Sequence, residues 1–388
     1  MHPTEPPPPR RARRSVTAAE PAADTTKDSR GRRRRIALIV LAVFTILVVA
    51  AVVIALTYVG RLESAFEENR NVIEDLDDLD DESAYRTPEG TINVLLMGSD
   101  SRGESEEEYR SRTGEGGERS DAMMLVHIPE DRSGIYVMSI MRDLWVEVPG
   151  HGMGRVNSAL SEGGRSLAVD TIEEMLYTHI DHVVSIDFEG FSDLTTALSG
   201  VYVENPRAFS AGQRNPAFYP EGDIRLEGSD ALRFVRERQS FPQGDHIRVE
   251  NQQLVLRGIV QRFLSGDTLS NPERVINVLE AILPYMEMDE GVDSDTLVGY
   301  AMDMRHLRSD DVHMFTMPTG ENTVTTGGAQ VILPDQDLMQ VLQLSLQNEN
   351  MDGFMNYLEE AEEADDDALA EQFDDQTGEQ AEETADEP

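Results

Sequence analysis

AMMLVHIPEDRSGIYVMSIMRD, residues 122–143, contains two short apolar runs, Ala122–Ile128 and Ile135–Ile140, separated by the turn-forming segment PEDRSG. Runs of six or seven residues rich in Met, Val and Ile, bounded by Pro, Asp and Gly, predict two buried strands joined as a hairpin. Upstream, Ile92-Asn93-Val94-Leu95-Leu96-Met97 is closed by Gly98 and predicts a third strand. Downstream the period changes. Leu167, Val169, Ile172, Met175 and Leu176 follow a helical spacing within Ser166–Tyr177, where one stripe can face a core. Val183–Ile186 again reads as a strand, and Phe188–Leu198 as a helix ended by Gly200. Gly228–Val235 starts another helix, and Arg248–Leu264 is amphipathic, with Val255, Ile259 and Phe263 on one stripe. Val275–Met286 and Asp293–Met304 add two helices, and Val312–Met317 and Gln330–Leu333 two late strands. Strands interleaved with helices predict an α/β fold, a central sheet covered by helices on both faces.

The 388 residues include 33 Lys+Arg and 74 Asp+Glu, a net charge of -41, and the two signs are segregated. Residues 1–35 hold ten basic and four acidic residues, whereas from Arg61 onward there are 23 basic and 70 acidic ones, a net of -47. Between them Ile36–Val59 runs for 24 residues without a charge. As a helix it would extend roughly 36 Å, enough to cross a hydrocarbon core of ~30 Å. Arg30 and Arg32 to Arg35 precede it, which orients the N-terminus to the cytoplasm. The run is longer than a signal-peptide core and no A-x-A pattern follows it, so an uncleaved anchor is expected. The expected organisation is a basic, disordered cytoplasmic tail over 1–35, a transmembrane helix over 36–59 and an acidic stalk over 60–90. An extracytoplasmic domain over 91–347 and an acidic, disordered tail over 348–388 complete it. The last 30 residues carry 15 acidic and no basic side chains, a block that repels itself. Heavy acid with one lysine against 32 arginines also fits a surface adapted to high ionic strength.

Composition narrows the chemistry. Cysteine is absent, which excludes disulfides, thiolate nucleophiles and cysteine-held metals. The outer part is too acidic for a nucleic-acid footprint. Neither a P-loop nor a G-x-S-x-G elbow occurs, and the seven outer histidines show no H-E-x-x-H spacing, so they read as structural. Lys27 lies on the cytoplasmic side, so an outer anion site has to be made from arginine, whose planar fork matches phosphate oxygens. Arg119-Ser120-Asp121 sits before a predicted strand, Arg142-Asp143 after one, Arg236-Glu237-Arg238 after a helix, and Arg248 ten residues further on. Spacing alone leaves two readings: converging forks for a pyrophosphate, or surface pairing with the surplus of carboxylates. Asp100 and Asp121 flank neighbouring strand runs, either as loop caps or as a carboxylate pair for Mg²⁺. Arg248 and Gln252 are four apart and share a helix face. Asp245 falls near that helix's start, as a cap or as a partner for Arg248.

The ordered blocks NVLLMGSDSR (93–102), RSDAMMLVHI (119–128), MSIMRDLWVEVPG (138–150), RVNSAL (155–160), IDHVVSIDFEGF (180–191), GVYVENP (200–206), LEGSDALRFVRERQ (226–239) and GDHIRVENQQLVLRGIV (244–260) resemble the LytR-CpsA-Psr family. The resemblance spans about Thr91 to Leu264, with a weaker stretch to about Leu346. It implies a mixed α/β fold with a central mixed sheet, and an extracytoplasmic phosphotransferase that moves a glycopolymer from a polyprenyl-pyrophosphate carrier onto peptidoglycan through a phosphodiester. Hydrolysis of the same pyrophosphate, or a non-catalytic lipid-binding and regulatory role, are the alternatives it leaves. Carried over by motif, Asp100 and Asp121 would hold Mg²⁺, with Mn²⁺ as the alternative ion, and Arg142 would contact the phosphates and be essential. Arg119, Arg236, Arg238, Arg248 and Gln252 would line the head-group site. The weakly held choice of base is Asp100. Three departures stand out: Met141 where the family usually has proline, Arg155 where lysine is common, and Asn251 where arginine is often found.

Overall fold

The computed structural model describes residues 60–61, 63–73, 76, 79, 84–99, 120–212, 216–241, 244–269 and 271–361. The chain divides into Met1–Val59 and Gly60–Pro388, and every described residue belongs to the second unit. The basic tail and the apolar segment 36–59 therefore lie outside the described residues, as does most of the acidic C-terminus. No described helix is long and apolar enough to cross a membrane.

Seven strands form the central sheet: Asn71–Val72 (β1), Ile92–Ser99 (β2), Ser120–Ile128 (β3), Ile135–Ile140 (β4), His182–Asp187 (β5), Met286–Met288 (β6) and Val312–Thr316 (β7). Their order is β1-β6-β5-β2-β3-β4-β7. The predicted hairpin is formed as the antiparallel pair β3–β4, and β2 adds antiparallel to β3. The β2–β5 and β4–β7 pairs are parallel, so the sheet is mixed. Helices Val156–Leu176 (α1), Phe188–Ala197 (α2), Ser229–Arg236 (α3), Gly244–Phe263 (α4), Pro272–Ile282 (α5), Ser294–Asp303 (α6) and Gln336–Gln347 (α7) accompany it.

The period of two along the strands assigns opposite tasks to the two faces of the sheet. Leu95, Met97, Met123, Leu125 and Met138 point into a filled core with Ile172 of α1 and Leu342 of α7. Leu95, Leu125 and Ile172 are fully buried, and burying such a side chain contributes about 1.5–3 kcal/mol. Their neighbours Leu96, Gly98, Ala122 and Met124 face the other way and line a cavity roofed by α2, α3 and α4. A second core holds that roof in place: Phe209, Tyr219, Phe234 and Phe241 pack tilted or edge-to-face, with ring centroids 5.0–5.3 Å apart. Behind it α4 lies so close to the strand 201–205 that a Cβ on Gly258 would come within 2.7 Å of the Tyr202 carbonyl oxygen. Only glycine permits that approach.

Several boundaries differ from the sequence reading, each for a local reason. Residues 63–73, assigned to the stalk, pack on the domain: Phe66 is 3 % exposed against Leu283, Met288 and Val292, and β1 forms a sheet edge. At the other end the helix 351–361 buries Met351 and Phe354 in the main core, so order persists past residue 347. The predicted helix 275–286 stops at Ile282. Pro284 ends it, and Met286–Met288 become a strand instead. Helix α1 starts ten residues earlier than predicted and carries a kink at Gly163 and Gly164, which hid its first half from a periodicity argument. The strand 330–334 forms a hairpin with 319–324 rather than joining the sheet.

Candidate functional site

Parallel strands β2 and β5 both end at one edge of the sheet, where Gly98 pairs with Ile186 and Ser99 with Asp187. In open α/β sheets the carboxyl ends of such strands are where ligands sit. On the other side β2 meets β3 with a shift: Gly98 pairs with Ala122 but Ser99 with Ser120, leaving Asp121 as the extra residue of a bulge. Bulges of this kind are frequent beside active sites. Residues 121 and 187 thus belong to this one edge, and in the sequence Asp100 comes directly after Ser99. Asp100 and Arg119 themselves fall outside the described residues, and for Asp121 only the backbone is described.

From this edge a cavity of about 390 Å³ extends across the sheet. Its wall is apolar for most of its extent, with Leu96, Met124, Ile186, Phe191, Leu194 and Leu256 among the lining side chains. Arg142, Arg236, Arg238, Arg248 and Gln252 also line it. Five of the six residues assigned to phosphate binding are thus brought to one cavity from three separate segments of the chain; the sixth is Arg119.

Arg142 leaves the sheet in a tight turn after β4. The Leu144 N–H donates to the Met141 carbonyl at 3.0 Å and the Asn157 N–H to the Arg142 carbonyl at 3.2 Å, which pins the backbone on both sides. Met141 is 1 % exposed and serves as core. Arg248 comes from the first turns of α4 and is 6 % exposed at its side chain. Asp245, three residues before it, joins the cluster. Its Oδ2 accepts from Arg142 Nε at 3.1 Å and from Arg248 Nη2 at 3.0 Å, and its Oδ1 lies 3.7 Å from Arg238 Nη1. A carboxylate was expected near Arg248; its reach to Arg142, 103 residues away, was not legible in the sequence. Arg236 stacks over the Phe188 ring at 4.1 Å, a cation–π contact that holds the guanidinium at the rim. Asp143 lies 3.6 Å from Arg142 Nε and 3.4 Å from Arg155 Nη1, and Arg155 also donates to the Gln330 carbonyl at 2.7 Å. Asn251 is 1 % exposed and turned toward the Phe234 carbonyl, so that position does not line the cavity.

Asp187 is the cavity residue that the sequence reading passed over. It ends β5 and caps α2, accepting from the Gly190 N–H at 2.7 Å. Burial raises its carboxyl above the usual carboxylate range against the opposing pull of those backbone N–H groups. An Asp between a strand run and a helix start was the available signal, in the block IDFEGF. Chemically the cavity suits an amphiphile with a long apolar part and a compact polyanionic end.

The family model LytR_cpsA_psr matches residues 57–348. A protein of Enterococcus faecalis named polyisoprenyl-teichoic acid–peptidoglycan teichoic acid transferase TagU is 34% identical over 216 residues, covering 55% of this chain and 66% of its own. The cell wall biosynthesis protein LcpA of Corynebacterium glutamicum is 27% identical over 286 residues, 63% of this chain and 54% of its own. The chain thus spans between about half and two thirds of the length of these curated relatives. Among solved structures, that of TagV from B. subtilis superposes with a TM-score of 0.57 at 21% identity, covering 68% of this chain and 98% of that one; the mixed α/β fold is shared.

Proposed function

The chain belongs to the LytR-CpsA-Psr family, and from that membership we propose that it transfers a glycopolymer from a polyprenyl-pyrophosphate carrier onto peptidoglycan. The observation that carries the proposal is the cavity itself, apolar along the sheet and lined by four arginines and Gln252 near the strand ends. Its two characters match the two parts of such a donor: the isoprenoid chain against Leu96, Met124 and Leu194, the pyrophosphate between Arg142, Arg236, Arg238 and Arg248.

In the proposed reaction a hydroxyl oxygen of the acceptor sugar attacks the glycan-side phosphorus. A P–O bond forms to the acceptor, the bond to the bridging oxygen breaks, and polyprenyl phosphate leaves. Such a transfer asks the protein chiefly for positioning and charge stabilisation. Arginine forks fixed in advance by Asp245 and Asp143 supply both without reorganising as charge develops. The hydroxyl proton passes to a carboxylate, which we assign to Asp100. Asp100 and Asp121, both oxygen donors, would suit Mg²⁺, or Mn²⁺ in its place; when bound, the ion would neutralise phosphate charge. The segment 36–59 is proposed as the membrane anchor that keeps the domain beside its lipid donor.

The test is transfer by the full-length protein in detergent, with a polyprenyl-pyrophosphate-linked sugar, Mg²⁺ and a peptidoglycan fragment, read by mass spectrometry. A sugar-phosphate adduct on the fragment is expected, and Arg142→Ala should lower kcat/KM by about a hundredfold or more. Donor bound but unchanged would leave a lipid-binding protein instead.

A further inference from the structure

A second depression of about 350 Å³ lies against the first, and Leu232, Arg236 and Arg238 line both. It extends from this shared wall to Arg233, Gln239 and Gly212. Its one lining carboxylate, Glu237, is engaged with backbone: it accepts from the N–H groups of Gln239 at 2.8 Å, Ser240 at 3.0 Å and Gly212 at 3.1 Å. Those three bonds tie the turn after α3 to the strand 209–211 and set the floor of the groove. Arg233 is about a third exposed, stands 3.4 Å from Asp230, one turn back on α3, which is 62% exposed, and also hydrogen-bonds with the Tyr219 side chain. An ion pair that open to solvent is weak, so the guanidinium can leave Asp230 for a stronger anionic partner. The setting makes the sign of this groove informative. From Arg61 onward the chain carries 23 basic and 70 acidic residues, a field that repels polyanions, yet here three arginines line one continuous path from the cavity.

We propose that this groove is a subsite for the donor's glycan chain beyond the pyrophosphate, and that Arg233 selects chains whose next repeat bears a phosphate. The inference rests on the transferase reading of the adjoining cavity. Phosphate oxygens match the arginine fork in a way neutral hydroxyls do not, so Arg233 is a specificity-determining residue rather than part of the reacting centre.

The test compares three donors on one polyprenyl pyrophosphate: a disaccharide alone, the same extended by phosphate-bearing repeats, and the same extended by neutral repeats. Full-length wild type, Arg233→Gln and Arg233→Lys are assayed for donor binding and for transfer, with thermal melts to verify folding. For Arg233→Gln the expected result is Kd and KM about tenfold higher for the phosphate-bearing donor, with the ratio to the disaccharide donor raised to the same extent and kcat little changed. Lys, which keeps charge but not the fork, should fall between. An equal change for all three donors, no change, or a rise confined to the acceptor's KM would overturn the subsite. Binding separates the two levels: selective loss of phosphate-bearing donor without transfer by any protein would sustain the groove and sink the transferase reading.

Discussion

Asp245→Asn removes the charge at the centre of the arginine cluster while keeping the shape of the side chain. In the wild type that carboxylate receives Arg142 at 3.1 Å and Arg248 at 3.0 Å and stands 3.7 Å from Arg238. Side-chain exposures of 19% for Arg142, 17% for Asp245 and 6% for Arg248 mean that solvent screens these two bonds only partly. Arg238, at 46%, adds little. Charge-assisted hydrogen bonds are worth about 1.5–3 kcal/mol each, and breaking a fully buried pair costs roughly 3–5 kcal/mol. Asn keeps one acceptor oxygen, so the expected loss is about 2–3 kcal/mol, between an exposed and a buried pair. In a domain of this size each kcal/mol moves Tm by about 2–4 °C, so Tm should fall by roughly 5–10 °C. Pyrophosphate acts in the opposite sense. An anion between the guanidinium groups replaces the missing charge, so the stabilisation from millimolar pyrophosphate with Mg²⁺ should be larger in the variant than in the wild type. Melts of the purified full-length protein, with and without pyrophosphate, measure both quantities. A Tm within about 1 °C of wild type, or an equal or smaller pyrophosphate shift in the variant, would refute the reasoning.

Other predictions address other parts of the molecule. His127 is 2 % exposed, with Nδ1 2.8 Å from Asn93 Oδ1, and burial lowers its pKa from 6.5 to about 4. The unfolded chain therefore takes up this proton first, and stability is full above about pH 6.5 and falls as pH drops toward 4, by about 3 kcal/mol at 1.36 kcal/mol per pH unit; urea titrations across that range should show this slope component missing in His127→Gln. Leu194→Trp fills the apolar cavity and should weaken binding of a polyprenyl donor by about tenfold or more, while binding of inorganic pyrophosphate, followed by calorimetry, changes little. Gly258→Ala places a methyl 2.7 Å from the Tyr202 carbonyl and should cost about 1–3 kcal/mol by denaturant unfolding. With a net of -47 from Arg61 onward, self-repulsion is screened by salt, so the unfolding midpoint should rise between low and molar NaCl.

Much of the sheet was legible because its strands are short apolar runs bounded by turn residues, and the hairpin 122–140 is formed where the pattern placed it. The two shortest strands were not. Asn71–Val72 and Met286–Met288 are two and three residues long, too short for alternation to register, and they are strands only because the sheet offers them partners. The packing of 63–73 and 351–361 was hidden by acidic composition, which masked the few residues, Phe66, Ile73, Met351 and Phe354, that anchor these segments. Local chemistry pointed to the arginines, since no lysine follows Lys27 in the chain. Their convergence depends on tertiary folding: Arg142 and Asp245 are 103 residues apart and meet at 3.1 Å. Asp187 reads in sequence as a helix cap, and it is one; that the cap also faces the cavity emerges only once α2 is laid across the sheet.

Running the transfer in H₂¹⁸O with full-length protein, polyprenyl-pyrophosphate-linked glycan and a peptidoglycan fragment tests the proposed activity most directly. If the acceptor is a sugar hydroxyl, mass spectrometry will find the phosphodiester-linked product on the fragment with no ¹⁸O at phosphorus, and its formation will be lost in Arg142→Ala. Free glycan phosphate carrying one ¹⁸O, with no adduct on the fragment, would contradict the transferase and establish water as the acceptor.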